Sequence, residues 1–155
     1  MLYLGSDAKL RERKETYISV ESLNAEQEAV RQFLPESNVY FLGSHSGCSC
    51  GFPSVIAESP IDYYDGMFDD TNPERNEDVA SVRALMTILD ECLESTDACT
   101  LFPVWNGSES EHPKGDVEWL RKTMSPETFV VTEQFRYKIK AEQCDPPKSP
   151  VSCEF

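Results

Sequence analysis

Four apolar residues, Val39-Tyr40-Phe41-Leu42, run without a break into the stretch Gly43-Ser44-His45-Ser46-Gly47-Cys48-Ser49-Cys50-Gly51-Phe52. This junction constrains the fold more than any other. A short run that is apolar throughout is what a strand covered on both faces requires. The glycines that follow let the chain turn tightly and hold chemically active side chains out at the end of a rigid element. One of the two histidines and two of the six cysteines sit in that turn. The same grammar recurs in Leu2-Tyr3-Leu4-Gly5-Ser6-Asp7 and in Val104-Trp105-Asn106-Gly107-Ser108. If the three strands run parallel through right-handed helical crossovers, all three turns gather at one carboxyl edge, where open α/β sheets place their sites.

The rest of the chain supplies strands and helices in alternation. Tyr17-Ile18-Ser19-Val20 reads as a strand, and Lys9 to Glu15 as a solvated basic loop. Asn24 with Gln27 forms a capping-box pattern ahead of the apolar face Ala29, Val30, Phe33 and Leu34, so a helix is expected over 25–34, stopped by Pro35. Asn72-Pro73 opens the strongest helix, expected over 73–94, with Val79, Val82, Leu85, Met86, Leu89 and Leu93 as its core stripe. Between the cysteine loop and that helix lies a long irregular segment, residues 53–72. Cys99 to Trp105 is expected to be a buried strand, and Asp116 to cap a short helix over 116–124. Residues 128–132 and 135–139 are rich in β-branched and aromatic side chains, as strands paired through Glu133-Gln134 would be. These elements predict an α/β fold, a three-layer-like sandwich with a mixed, partly parallel sheet of about five strands. Residues 1–143 are expected to form a single α/β domain, and the proline-rich residues 144–155 a disordered or loosely docked tail.

Composition narrows the partners. Acidic residues outnumber basic ones 28 to 14, a net charge of −14. That field repels phosphate backbones and anionic membranes and attracts basic protein surfaces, so neither nucleic acid nor membrane is expected as a partner. No apolar run approaches the ~20 residues of a membrane helix, and the first residues lack the pattern of a signal peptide. A cytoplasmic location and reduced cysteines follow as expectations.

Three readings compete for residues 43–52. His45, Cys48 and Cys50, with His112 after a strand expected to end at the same edge, are four nitrogen and sulfur ligands, the number a tetrahedral zinc site needs. Alternatively, Cys48 and Cys50 cycle between dithiol and disulfide, or one is a nucleophile with a histidine as its base; the acidic field opposes a thiolate there. In the third reading the loop is a tight turn with cysteines as small apolar fillers. Cys92 and Cys99 are expected in the core. The loop Ser108, Glu109, Glu111 and His112 has the chemistry of a triad but no nucleophile elbow. Neither a phosphate-binding glycine motif nor a calcium loop is present. A separate candidate is the acidic, aromatic segment 62–78, with Tyr63, Tyr64, Met67 and Phe68 as anchors for a basic protein partner.

Residues 39–52 resemble a YxGSHxGCxCGF-like signature of small uncharacterised bacterial proteins, and Phe102 to Gly107 and Glu118 to Arg121 are similar to other blocks of that group. The resemblance implies a single-domain bacterial cytosolic protein and brings no activity, fold or ligand with it. Ser49 stands where the resemblance leads one to expect a glycine. The sequence thus leaves two classes open. One is a protein with His/Cys metal or thiol chemistry in residues 43–52; the other is a non-enzymatic interaction module.

Overall fold

The computed structural model describes residues 1–55, 71 and 73–141. In chain order they form β1 (Leu2–Ser6), β2 (Arg13–Lys14), β3 (Ile18–Ser22), a 3-10 helix (Gln27–Phe33), β4 (Asn38–Ser44), a 3-10 turn (Ser49–Gly51) and β5 (Ser54–Val55). They continue through α1 (Arg75–Leu93), β6 (Ala98–Pro103), β7 (Gly115–Leu120), a second 3-10 turn (Arg121–Thr123), β8 (Val131–Thr132) and β9 (Phe135–Lys140). The main sheet has seven strands, more than the five expected, in the order β2-β3-β4-β1-β6-β9-β7. It is mixed: β7 and β9 run parallel and every other neighbouring pair is antiparallel. β5 and β8 make a small parallel pair of their own.

Strand alternation sorts the core into two layers. Leu2, Leu4, Tyr40, Leu42 and Leu101 pack with Val82, Leu85, Met86, Leu89 and Cys92 of α1. Tyr3, Val39, Phe41, Phe102 and Val104 face the other way and meet Val30, Phe33 and Leu34 of the 3-10 helix. Each such large apolar side chain contributes about 1.5–3 kcal/mol on burial, so β4-β1-β6 is the rigid centre of the molecule. Asn24 accepts the Gln27 backbone N–H through its side chain, and the Gln27 side chain accepts the Asn24 N–H in return, the reciprocal cap read from the sequence.

Several expectations fail, and the helix expected over 25–34 is a 3-10 helix over Gln27–Phe33. The segment 116–124 is a strand followed by a 3-10 turn. Val117 and Trp119 turn inward while Asp116 and Glu118 turn out, a period of two. Opposite charges across the parallel pair fix that register: Asp116 takes two hydrogen bonds from Arg136, and Glu118 takes one from Lys140. β9 then pairs with β6 and β7 rather than with β8.

A further failure concerns direction. β1 is antiparallel to both β4 and β6, with Leu2 opposite Leu42 on one side and Pro103 on the other. The turns after β4 and β6 therefore do share an edge, beside the start of β1, while Gly5-Ser6-Asp7 lies at the far end. Arg13 and Lys14, read as loop, form an edge strand, and Arg13 reaches Glu91 at 2.7 Å. The N-cap residue Asn72, most of the acidic segment 62–78 and the tail 144–155 lie outside the described residues.

Candidate disulfide site at the sheet edge

Ser44, the buried last residue of β4, folds the loop back on the sheet. Its N–H donates to the Cys48 carbonyl at 2.6 Å and its hydroxyl to the same oxygen at 2.7 Å. The hydroxyl also accepts the Gly51 N–H at 2.9 Å, and the Ser44 carbonyl accepts that of Gly47. Gly47 closes the turn at φ +78°, the left-handed region that favours glycine.

Cys48 and Cys50 are joined by a disulfide, with Cα atoms 5.4 Å apart. The expectation of reduced thiols fails here because Ser49 is pinned between them. Its hydroxyl accepts the Leu2 N–H at 2.7 Å and donates to the Leu42 carbonyl at 2.7 Å, spanning β1 and β4. Holding the middle residue down turns its two neighbours toward one another. A glycine at 49 would supply neither bond. The Cys48 sulfur accepts the Cys50 N–H at 3.2 Å and stands 3.3 Å from the Ser46 hydroxyl. Cys50 is exposed and Cys48 half-buried.

His45 is committed elsewhere. Its backbone N–H donates to Ser81 Oγ at 3.0 Å, its Nδ1 lies 3.1 Å from the same hydroxyl, and Asp78 Oδ1 is 3.8 Å away. Burial raises the Asp78 carboxyl above its ordinary range, opposed by the His45 ring and assisted by Glu74 and Glu77. The imidazole lies over Gly51, where a Cβ would come within 2.6 Å of it. His45 thus ties the loop to α1.

The four-ligand zinc set is not assembled. His112 stacks edge-on against Phe33, ring centres 5.2 Å apart, on the face opposite α1. The two sulfurs are bonded to one another, and His45 faces the helix. Among the described residues no group of three or more His, Cys, Asp or Glu side chains is placed to hold a metal ion. Nor does the loop after β6 form a triad. Ser108 donates to Glu111, and the buried Glu109 accepts from the Tyr3 hydroxyl and the Gly107 N–H, a strut between its loop and β1. Cys92 and Cys99 are fully buried neighbours; their mutual hydrogen bond and burial push the Cys99 thiol far up, which keeps it inert.

A cleft of about 410 Å³ opens beside the disulfide, walled by Met1, Ser54, Trp105, Asn106 and Glu133 as well as the segment Cys48–Cys50. Trp105 is 60% exposed. Glu133 is placed by its backbone N–H, which donates to Val55, and burial raises its carboxyl above the ordinary range. Neither residue is near the cysteines in sequence. The echo between the turns after β4 and β6 was the one signal for Trp105; for Glu133 there was none.

Among the described residues no helix is long and apolar enough to cross a membrane. Comparison with models of known protein families, with curated proteins and with solved structures finds no match. What the site does has to be argued from its geometry.

Proposed function

We propose that this chain is a small thiol–disulfide exchange protein of the bacterial cytoplasm, with the Cys48–Cys50 pair as its working group. One observation carries the reading: an exposed disulfide closes a loop of three residues on a rigid sheet edge, beside an open cleft. Such a bond is a poor staple. Cross-links stabilise mainly by restricting the unfolded chain, and the effect shrinks with the loop they close. Exposed disulfides are also the labile and catalytic ones, and those of the cytosol are chiefly transient.

The two sulfurs take different parts in this reading. An incoming thiolate reaches exposed Cys50, the S–S bond breaks, and the electron pair leaves with Cys48. The Cys50 N–H and the Ser46 hydroxyl stand ready to receive the negative charge that appears on Cys48. Those donors offset an acidic protein's resistance to a thiolate. Ser49 and Ser44 keep both sulfurs in place after the bond opens, so re-closure needs little reordering.

The test compares reduction of the protein's disulfide by dithiothreitol with that of a linear Gly-Cys-Ser-Cys-Gly disulfide peptide. Alkylation and mass spectrometry of the segment containing Cys48 and Cys50 give the rates. Reversible opening and re-closure with kinetics distinct from the peptide's is the expected result. A bond that stays closed in excess reductant, or that behaves as the free peptide does, overturns the proposal.

A further inference from the structure

We infer that the cleft beside the disulfide selects a polypeptide cysteine flanked by a basic residue, whose cation lies between the Glu133 carboxylate and the face of Trp105. This rests on the thiol-exchange reading above and names its substrate class. Three observations converge. Glu133 puts a half-buried carboxylate in the cleft wall; among the described residues its side chain takes one long hydrogen bond, from Ser54 at 3.4 Å, and feels the Met1 amine on the same wall. Trp105 leaves an indole 60% exposed at the same cleft, and an uncovered indole is the preferred aromatic partner of a cation. The whole chain carries a net charge of −14, which raises the local concentration of cations and repels anionic thiols. Glutathione, with two carboxylates, is the wrong charge for this wall, whereas an arginine or lysine beside a cysteine is the right one. A cleft of about 410 Å³ admits a few side chains of an extended peptide.

The exchange balances without an outside oxidant, because the protein disulfide is the oxidant. The peptide thiolate bonds to Cys50 Sγ as the Cys50–Cys48 bond breaks, and Cys48 leaves as a thiolate that takes a proton from water. A second thiol then displaces Cys50 from the mixed disulfide. The peptide is released oxidised and the protein holds two thiols.

The experiment measures single-turnover formation of the mixed disulfide by quenched mass spectrometry, using acetyl-Arg-Cys-Gly-amide, acetyl-Glu-Cys-Gly-amide and glutathione. Each rate is divided by that of the same thiol with a small uncharged disulfide, which cancels intrinsic reactivity. The arginine peptide is expected to react on the order of tenfold faster than the other two at low salt, converging toward them at high salt. Glu133→Gln removes most of that preference and Trp105→Ala part of it. Equal normalised rates for the three thiols on the native protein overturn the inference even if a variant proves unstable. So does a preference that salt and Glu133→Gln leave intact. In each case dithiothreitol reduction of the native disulfide shows whether the exchange function itself still stands.

Discussion

A single hydroxyl, that of Ser81, meets His45 twice, accepting its backbone N–H at 3.0 Å and lying 3.1 Å from its imidazole Nδ1. Ser81 is fully buried in the first half of α1, so this pair is the polar joint between the long helix and the loop that presents the disulfide. Removing the hydroxyl leaves a partly buried N–H and a ring nitrogen without their partner, which costs about 1–3 kcal/mol. Ser81→Ala is expected to lower stability to urea by that amount and to raise amide exchange selectively in residues 44–51. Uniform exchange across the molecule would show that the joint does not act on the loop.

The imidazole and Gly51 are matched in shape. A Cβ at 51 would come within 2.6 Å of the ring and 2.8 Å of Ser44 Oγ, whereas nothing lies within 4 Å of a Cβ at Gly47, whose φ is +78°. Gly51→Ala therefore displaces His45, at a cost of about 1–3 kcal/mol. Gly47→Ala suffers only its backbone conformation, about 1–2 kcal/mol. The two are told apart by coupling. His45→Ala is expected to relieve Gly51→Ala in a double-mutant cycle and to be additive with Gly47→Ala.

Much of this frame was legible in the sequence. The apolar runs at β1, β4 and β6 and most of the stripe of α1 appeared as expected, because burial leaves only apolar choices; Trp105, expected at the end of a buried strand, is instead 60% exposed beyond Pro103. Strand direction was not legible. Nothing in Leu2-Tyr3-Leu4 distinguishes a parallel neighbour from an antiparallel one; the partners of β1 decide it. The helix expected over 116–124 came from reading Asp116 as its cap and Val117, Trp119, Leu120 and Met124 as the apolar residues it carries. The deciding interactions, Asp116 with Arg136 and Glu118 with Lys140, lie twenty and twenty-two residues away. At the site, the loop was visible as chemistry but its state was not. Ser49, between the paired cysteines, bridges Leu2 and Leu42, and His112, expected beside the loop at a shared edge, packs on Phe33 instead.

If the disulfide works rather than braces, breaking it leaves the fold intact. Closing a loop of three residues contributes at most about 2 kcal/mol by chain entropy. The double variant Cys48→Ser, Cys50→Ser is expected to unfold cooperatively, with its urea midpoint lowered by no more than that, and to keep the near-ultraviolet spectrum of the native core. Failure to fold would show the bond to be a structural cross-link after all.

His112 offers a control for the competing arrangement in which both histidines serve the sulfurs. It packs on Phe33 across the sheet from His45. His112→Ala is accordingly expected to leave the rate of disulfide reduction unchanged, with at most a loss of about 1 kcal/mol in stability from the aromatic contact. A changed exchange rate at unchanged stability would place His112 in the chemistry.

Glu133 supplies a test in pH. Burial holds its carboxyl above the ordinary 4.5, against the pull of the Met1 amine. A carboxyl raised on folding binds its proton more tightly in the native protein than in the unfolded chain. The folded state therefore loses stability as pH climbs from the unfolded value through the folded one. Glutamine at 133 carries no such penalty. Asp78, also raised by burial, has the same sign but is present in both proteins and cancels in the difference. Urea unfolding at fixed ionic strength between about pH 4 and pH 6 is expected to show Glu133→Gln gaining on the native protein as pH rises. A gain that shrinks over that interval would mean the ionised carboxylate is the better satisfied form, already neutralised by neighbours such as the Met1 amine, and would leave the cleft little charge to offer a cationic substrate.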